Sequence, residues 1–169
     1  MALVNLESCD GVVYSLPSDI ACLSSLVGDV MTHCSEDGNT TVPLPKIPDV
    51  ALAPVVEWMR RKNAVSAQLA ASSCRCTHGG NDSDYGGKDV ELSNWERIFF
   101  HDMDKDLLFM VLNTANYMGI AALTAAGSSF VAEMISGMSL EQTREYLNIS
   151  PSKKFDDEQI RKKYPWLFI

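Results

Sequence analysis

The sequence is poor in basic residues. It contains 14 lysines and arginines against 22 aspartates and glutamates, which gives a formal net charge of −8. DNA, RNA and anionic membranes are bound by basic protein surfaces, so none of them is expected as a main partner. The sequence also lacks a signal peptide and any apolar run long enough to cross a bilayer. These absences favour the cytoplasm and the nucleus as its location.

Paired cysteines and the usual metal-binding spacings are missing as well. The five cysteines are an odd number without a secretory context, so they are expected to be reduced thiols. Cys74, Cys76 and His78 form a C-x-C-x-H cluster, and His101 is a candidate fourth ligand. Structural zinc sites usually need wider, paired spacings. We therefore expect no metal and no other cofactor.

Motifs of catalysis are also missing. The sequence contains no G-x-S-x-G, and its three histidines stand in unrelated contexts. Its Gly-Gly pairs are not followed by the G-K-[ST] ending that a phosphate-binding loop requires. We therefore expect that the chain is not an enzyme.

Two helices are predicted in residues 104–136. The first carries an apolar stripe and ends at Gly119, where a left-handed residue lets Ile120 pack back on Ala115. The second covers about residues 123–136. The apolar stripes, read first as core packing, are Leu108, Val111, Leu112, Ala115 and Met118 in the first helix and Leu123, Gly127, Phe130, Val131, Met134 and Ile135 in the second.

Two more helices and an apolar tail follow. Ser139 to Gln142 matches the capping box S-x-x-Q, and Asp156 to Gln159 is a weaker version of the same signal. The tail Trp166-Leu167-Phe168-Ile169 is apolar, and each large apolar side chain costs about 1.5–3 kcal/mol to leave in water. Short helices with one apolar face persist only when that face is covered. A partner protein is therefore expected to cover this region.

The N-terminal part is predicted to contain three strands and three helices. Alternating apolar residues flank Cys9-Asp10-Gly11, which is a hairpin turn signal. Two short helical segments follow, and then a short edge strand at Thr41-Val42-Pro43-Leu44, whose prolines cannot donate to both neighbours. Asp49 is expected to cap the next helix, although Pro54 favours a start nearer Leu52. The core face of that helix is predicted to be Leu52, Val55, Val56 and Met59.

The middle of the chain has no periodic pattern. Residues 64–93 are rich in serine, asparagine, aspartate and glycine and are predicted to form a mobile insert. The basic run Arg60-Arg61-Lys62 is expected to close the preceding helix, because cations suit a helix C-terminus. Trp95 marks the return of ordered chain.

The predicted layout, a hairpin followed by helices, a third strand and a helix, is that of the BTB/POZ fold. The segments VNLESCDGVVYSL…DIA and VPLPKIPDVALAPVVEW resemble the opening of Skp proteins, the adaptor subunits of SCF ubiquitin ligases. The stretch ANYMGIAALTAAGSSFVAEMISGMSLEQTREYLNI is similar to the C-terminal region of the same family, which a tryptophan follows, as Trp166 does here. The resemblance implies an α+β chain with a BTB/POZ domain in residues 1–122, built on a small three-stranded sheet, and a Skp-type helical extension in residues 123–169.

The resemblance also implies a function. In Skp proteins the BTB part grips the N-terminal domain of a cullin scaffold, the C-terminal helices hold the F-box of a substrate receptor, and other subunits transfer ubiquitin for protein degradation. Asn116 and Tyr117 match the family pair that faces the cullin. The implied F-box-binding groove, with Trp166 as its anchor, is lined by Leu123, Val131, Ile135, Leu147 and Trp166.

The sequence departs from the family pattern at four places. Gly119 stands where the family has an aspartate, and Thr124 replaces one of two paired leucines. Leu140–Thr143 replaces Pro-Glu-Glu-Ile, and Leu167–Ile169 replaces a charged tail. These departures predict a divergent member of the family with its own choice of F-box partners.

Other binding roles stay open. BTB folds also form homodimers, channel tetramerisation units and elongin-type adaptors, and a homodimer of this chain is allowed when partners are absent. An elongin-like chain would stop near the helix that ends at Gly119, whereas this sequence continues with helix signals at Ser139 and Asp156. A third role is an adaptor that binds F-box proteins outside cullin complexes, and such an adaptor would lack affinity for a cullin.

Overall fold

The structure, a computed structural model, describes residues 3–33, 39–72, 92–149 and 161–168. Its contacts divide the chain into two compact units, Met1–Phe130 and Val131–Ile169. The predicted α+β class is confirmed, with a small three-stranded sheet among helices. The predicted boundary between residues 122 and 123 stays a prediction.

A three-stranded sheet forms one side of the first unit. Strand β1 (Leu3–Ser8) lies in the middle, antiparallel to β2 (Val13–Pro17) and parallel to β3 (Asn39–Leu44). The predicted hairpin and the predicted edge strand are thus confirmed. Alternate residues point to opposite faces of a strand, and the face turned to the helices is the buried one, with Val4, Leu6, Leu16, Val42 and Leu44.

Seven α-helices and a terminal 3₁₀ turn have both ends in the described part of the chain, where residues 161–163 are helical as well. They are α1 (Ser18–Ala21), α2 (Ser25–His33), α3 (Asp49–Ser72), α4 (Asn94–His101), α5 (Lys105–Met118), α6 (Ala121–Ile135), α7 (Leu140–Tyr146) and the turn Pro165–Phe168. The predicted core face of α3 is buried throughout, as is that of α5 apart from the half-buried Leu112. Close packing of α6 on α5 depends on Gly127, where an added Cβ would lie 2.2 Å from a methyl carbon of Leu112.

The start of α3 differs from the prediction. The helix begins at Asp49 rather than near Leu52, and Pro54 lies inside it. Asp49 is thus the first residue of the helix rather than its cap, and its N–H donates to the carboxylate of Asp10 in the hairpin turn at 2.7 Å. The Tyr14 hydroxyl donates to the Asp49 carboxylate at 2.5 Å. Two residues of the hairpin, distant in sequence, therefore hold the first turn of α3 and make an early start possible.

The end of α3 differs as well. The helix passes through the basic run at residues 60–62 and continues to Ser72, so the first nine residues of the predicted insert are helical. At the other end, Ser93 is the N-cap of α4 and belongs to a capping box with Glu96. Residues 73–91, which make up the rest of the predicted insert, lie outside the described residues.

The helix ends of the C-terminal third follow the sequence signals. Gly119 is left-handed with a φ of 66°, and the N–H of Ile120 donates to the Ala115 carbonyl at 2.9 Å, as in a Schellman end. The capping box at α7 is confirmed by reciprocal bonds between Ser139 and Gln142 of 2.8 and 3.3 Å. The weaker box at residues 156–159 lies outside the described residues.

Helices α3 and α4 are joined by a buried carboxylate. Glu96 is 3% exposed, and its carboxylate receives Lys62 Nζ at 3.0 Å and the Ser93 N–H at 3.2 Å. Trp58 and Trp95 lie beside this contact, with their ring centroids 6.2 Å apart. Burial by itself raises the pKa of Glu96, but the hydrogen bonds from Ser93 and Lys62 outweigh it, and the pKa lies below its usual value.

Replacing Glu96 with glutamine is expected to lower the free energy of unfolding by about 1 kcal/mol at pH 7, because the bonds lose their charge assistance. Because folding lowers the pKa of Glu96, its ionised carboxylate stabilises the fold at pH values above the unfolded pKa of about 4.3. This stabilisation is lost as the pH falls through the lower pKa of the folded state. The deficit of Glu96→Gln should therefore shrink in acid. Urea unfolding at pH 7 and at about pH 3.5 measures both effects.

Glu57→Gln is the matched control. Glu57 pairs with Arg61 at 2.5 Å on α3, but both side chains are about half exposed, at 53% and 52%. Glu57→Gln removes this ion pair and should change the free energy of unfolding by less than about 0.5 kcal/mol. A Glu96→Gln deficit that stays constant from pH 7 into acid would contradict the assignment of a buried, ionised Glu96.

Candidate functional site

The first candidate surface lies at the C-terminal end of α5. Asn116 is exposed and Tyr117 is 43% exposed, whereas Ala115 and Met118 on either side of them are fully buried. Helical geometry therefore turns the two sequence-predicted residues outward while their neighbours anchor the helix in the core. The structure brings Asn116 and Tyr117 together on one exposed turn.

The same face of α5 carries two residues that sequence reasoning missed. Met110 is 40% exposed and Asn113 is exposed, and they precede Tyr117 by seven and four residues. Positions four and seven apart stack on one side of an α-helix. The sequence did contain a signal for Met110. It is an apolar residue that falls outside the core-facing stripe of the helix, so it was to be expected on the exposed face. Met110, Asn113, Asn116 and Tyr117 are called the α5 surface from here on.

The second candidate surface belongs to the second unit. Among its described residues, 131–149 and 161–166, none is buried. Several large apolar side chains there are instead well exposed, namely Met134, Leu140, Ile149, Tyr164 and Trp166. An array of apolar side chains of this size in a small unit is typical of a protein-interaction surface.

The predicted groove residues differ in exposure. Trp166 is 69% exposed, and its ring meets Tyr164 edge to face with centroids 6.4 Å apart. Val131, Ile135 and Leu147 are half-buried. Leu123, by contrast, belongs to the first unit and is fully buried, so it has no free surface of its own. Tyr164 and Met134 were not predicted as site residues, although both lie close in sequence to residues that were.

The described residues offer little for a small-molecule site, a reactive nucleophile or a metal site. A depression open to solvent is lined by Glu7, Ser8, Cys9 and the Pro43–Pro45 segment. Slight desolvation and the neighbouring Asp10 raise the pKa of the exposed Cys9 thiol, which keeps it protonated and a poor nucleophile. In the part of the chain that the structure describes, no group of His, Cys, Asp or Glu is arranged to hold a metal. Cys74, Cys76 and His78 lie outside that part.

None of the described helices has the length and apolar character that crossing a bilayer requires.

Two family models match the chain. The Skp1 family tetramerisation domain matches residues 2–64, which contain the sheet and the first two thirds of α3. The Skp1 family dimerisation domain matches residues 122–167, which contain α6, α7 and Trp166.

Curated fungal proteins are similar over nearly the whole chain. The protein named E3 ubiquitin ligase complex SCF subunit sconC of Aspergillus clavatus is 31% identical, with 96% of each chain covered. The protein of the same name from Neosartorya fischeri is 30% identical over 98% of each chain. That of Talaromyces marneffei is 30% identical over 96% of this chain and 95% of its own.

The family models match both ends of the chain, and these relatives are 30% or 31% identical over nearly all of it. Both findings agree with the resemblance based on the Asn116-Tyr117 pair and on Trp166. The chain therefore belongs to the Skp1 family.

Proposed function

We propose that this protein is the adaptor subunit of an SCF-type E3 ubiquitin ligase. It joins a cullin scaffold, bound at the α5 surface, to F-box substrate receptors, bound by the second unit. It has no catalytic role of its own, since other subunits transfer the ubiquitin. The names of its relatives, which describe an SCF subunit, support this role. On this proposal the protein works in the cytoplasm and the nucleus.

The observation that carries the proposal is the uncovered apolar surface of the second unit. Trp166 is 69% exposed, Leu140 is 64% exposed and Ile149 is 52% exposed. Burying side chains of this kind contributes about 1.5–3 kcal/mol each, which an F-box helix lying on them would recover. Tryptophan dominates interface hot spots, so Trp166 is the expected anchor, with the half-buried Val131, Ile135 and Leu147 around it.

The α5 surface supports the other half of the proposal. Asn116 and Asn113 offer amide groups, and Tyr117 and Met110 offer partly exposed apolar area. Interfaces combine amphipathic aromatic residues and methionine with hydrogen-bonding groups in this way. The two surfaces share no residue and lie in different units.

The departures from the family pattern bear on which receptors bind. Leu140 replaces a proline at the start of α7 and is largely exposed, and Thr143 replaces an isoleucine. A larger apolar side chain at one point and a hydroxyl at another change the shape and polarity offered to an F-box helix. We propose that the protein therefore selects a restricted set of F-box proteins.

The first test is co-elution from a sizing column with a cullin N-terminal domain and an F-box fragment. One peak that contains all three chains is the expected result. Elution with the F-box fragment alone would favour the alternative, an adaptor that works outside cullin complexes. Elution with neither partner, with the chain present as a homodimer, would count against both roles.

Replacing Trp166 with alanine is expected to weaken F-box binding by about 2 kcal/mol, roughly thirtyfold in the dissociation constant, because a central tryptophan anchor is lost. Cullin affinity should stay the same. Isothermal titration with each partner separately measures both. Val50→Ala is the matched control, since Val50 is 61% exposed and lies in the first unit. Equal losses in Trp166→Ala and Val50→Ala would refute the anchor role.

The double replacement Asn116→Lys and Tyr117→Lys is expected to do the reverse. A lysine ammonium enclosed without a partner in an interface costs about 3 kcal/mol or more, roughly a hundredfold or more in cullin affinity. F-box affinity should not change. Ser66→Lys, on an exposed position of α3, controls for added charge. Loss of F-box binding in the double variant, or unchanged cullin binding, would show that the two surfaces are wrongly assigned.

A further inference from the structure

The start of α2 meets the end of α5 through one buried serine. Ser24 is fully buried, and its hydroxyl donates to the Met118 carbonyl at 2.5 Å while accepting from the Val27 N–H at 3.3 Å. The first N–H groups and the last carbonyls of a helix have no partner within that helix. Ser24 therefore satisfies one group at each of two helix ends, and it lies 94 residues from Met118 in sequence.

Gly119 closes the same junction from the other side. It is left-handed, with a φ of 66°, and an added Cβ would lie 2.0 Å from the Ser25 hydroxyl oxygen. The Ser25 N–H reaches the Gly119 carbonyl at 3.4 Å. Only glycine allows this approach without strain or displacement of Ser25, because any side chain would occupy the space of the serine.

The junction lies directly beneath the exposed pair of the α5 surface. The Gly119 N–H donates to the Asn116 carbonyl at 3.1 Å, and Ser24 binds the carbonyl of Met118. Tyr117 lies between those two bonded residues. The backbone that carries Asn116 and Tyr117 is thus tied on both sides, whereas their side chains make the outward face of the turn. A helix end without such ties frays, and its last turn samples several conformations.

We propose that Ser24 and Gly119 are positioning residues for the Asn116–Tyr117 pair. They contact no partner themselves. They hold the last turn of α5 on the start of α2, so that the pair is presented to a cullin in one orientation and little ordering has to occur on binding. Pre-organisation of this kind raises affinity by lowering the entropy lost in the complex. This inference rests on the proposed cullin-binding function.

The first test replaces Ser24 with alanine. Cullin affinity is expected to fall about three- to thirtyfold, the range over which residues that make no contact modulate binding. Affinity for an F-box fragment should stay within twofold or so, since the second unit is not touched. Both titrations are run where circular dichroism shows the variant folded. A change in global stability alone leaves the dissociation constant unchanged while nearly all molecules are folded.

A second pair of variants keeps the test independent of Ser24. Gly119→Ala places a Cβ against Ser25, and Gly119→Ala combined with Ser25→Gly removes the atoms that it meets. Both variants carry the same cost of a left-handed alanine, so they differ mainly in the steric contact. Cullin affinity should fall in Gly119→Ala and return most of the way in the double variant. Ser25→Gly alone serves as the reference for α2.

Amide hydrogen exchange gives a readout that needs no partner. In Ser24→Ala, the amides of Gly119 and Ile120 should exchange faster than in the unchanged protein, whereas amides in the middle of α5 should not. Unchanged exchange at these amides together with unchanged cullin affinity would overturn the inference and leave the adaptor role intact. An unchanged protein that binds no cullin would overturn the adaptor role and this inference with it.

Discussion

The covering of apolar surface is the constraint on which the rest of this structure depends. In the first unit the constraint is largely met internally, because Trp58, Phe100, Met118 and Leu123 are all fully buried among the sheet and helices, while Val50 and Ile98 remain exposed. In the second unit it is not met, since none of its described residues is buried and Trp166 is two-thirds exposed. One part of the chain buries a core of its own, and the other leaves large apolar side chains exposed among its described residues.

A few polar contacts, some of them buried, bring distant segments of the first unit into register. Asp10 of the hairpin binds the first N–H of α3, Glu96 of α4 binds Lys62 of α3, and Ser24 binds the end of α5. Apolar packing is nondirectional, so it cannot by itself select one orientation of neighbouring helices. A buried hydrogen bond can, because leaving either partner unsatisfied costs about 1–3 kcal/mol. Each of these contacts joins the end of one element to another element.

The proposed adaptor function fits this difference in burial between the two units. The α5 surface is small and rests on a core that is complete without any partner, so it has a defined geometry before binding. None of the described residues of the second unit is buried, so its apolar residues have no comparable core beneath them. Their arrangement can therefore adapt to different partners. On the proposed function, a scaffold of this kind can keep one partner while its receptor set changes, and Leu140 and Thr143 are the substitutions proposed to change that set.

Local signals in the sequence determined the hairpin, the core faces of α3 and α5, the Schellman end at Gly119 and the capping box at Ser139, because each depends on residues within one or two turns. The family resemblance added the candidate surfaces. Tertiary structure alone decided that α3 starts at Asp49, because Asp10 reaches its first N–H across 39 residues, and that Lys62 meets Glu96 across 34 residues. It also decided that Leu123 is buried. Contacts between residues far apart in sequence override local propensity wherever burial or a hydrogen bond is worth more than the local preference.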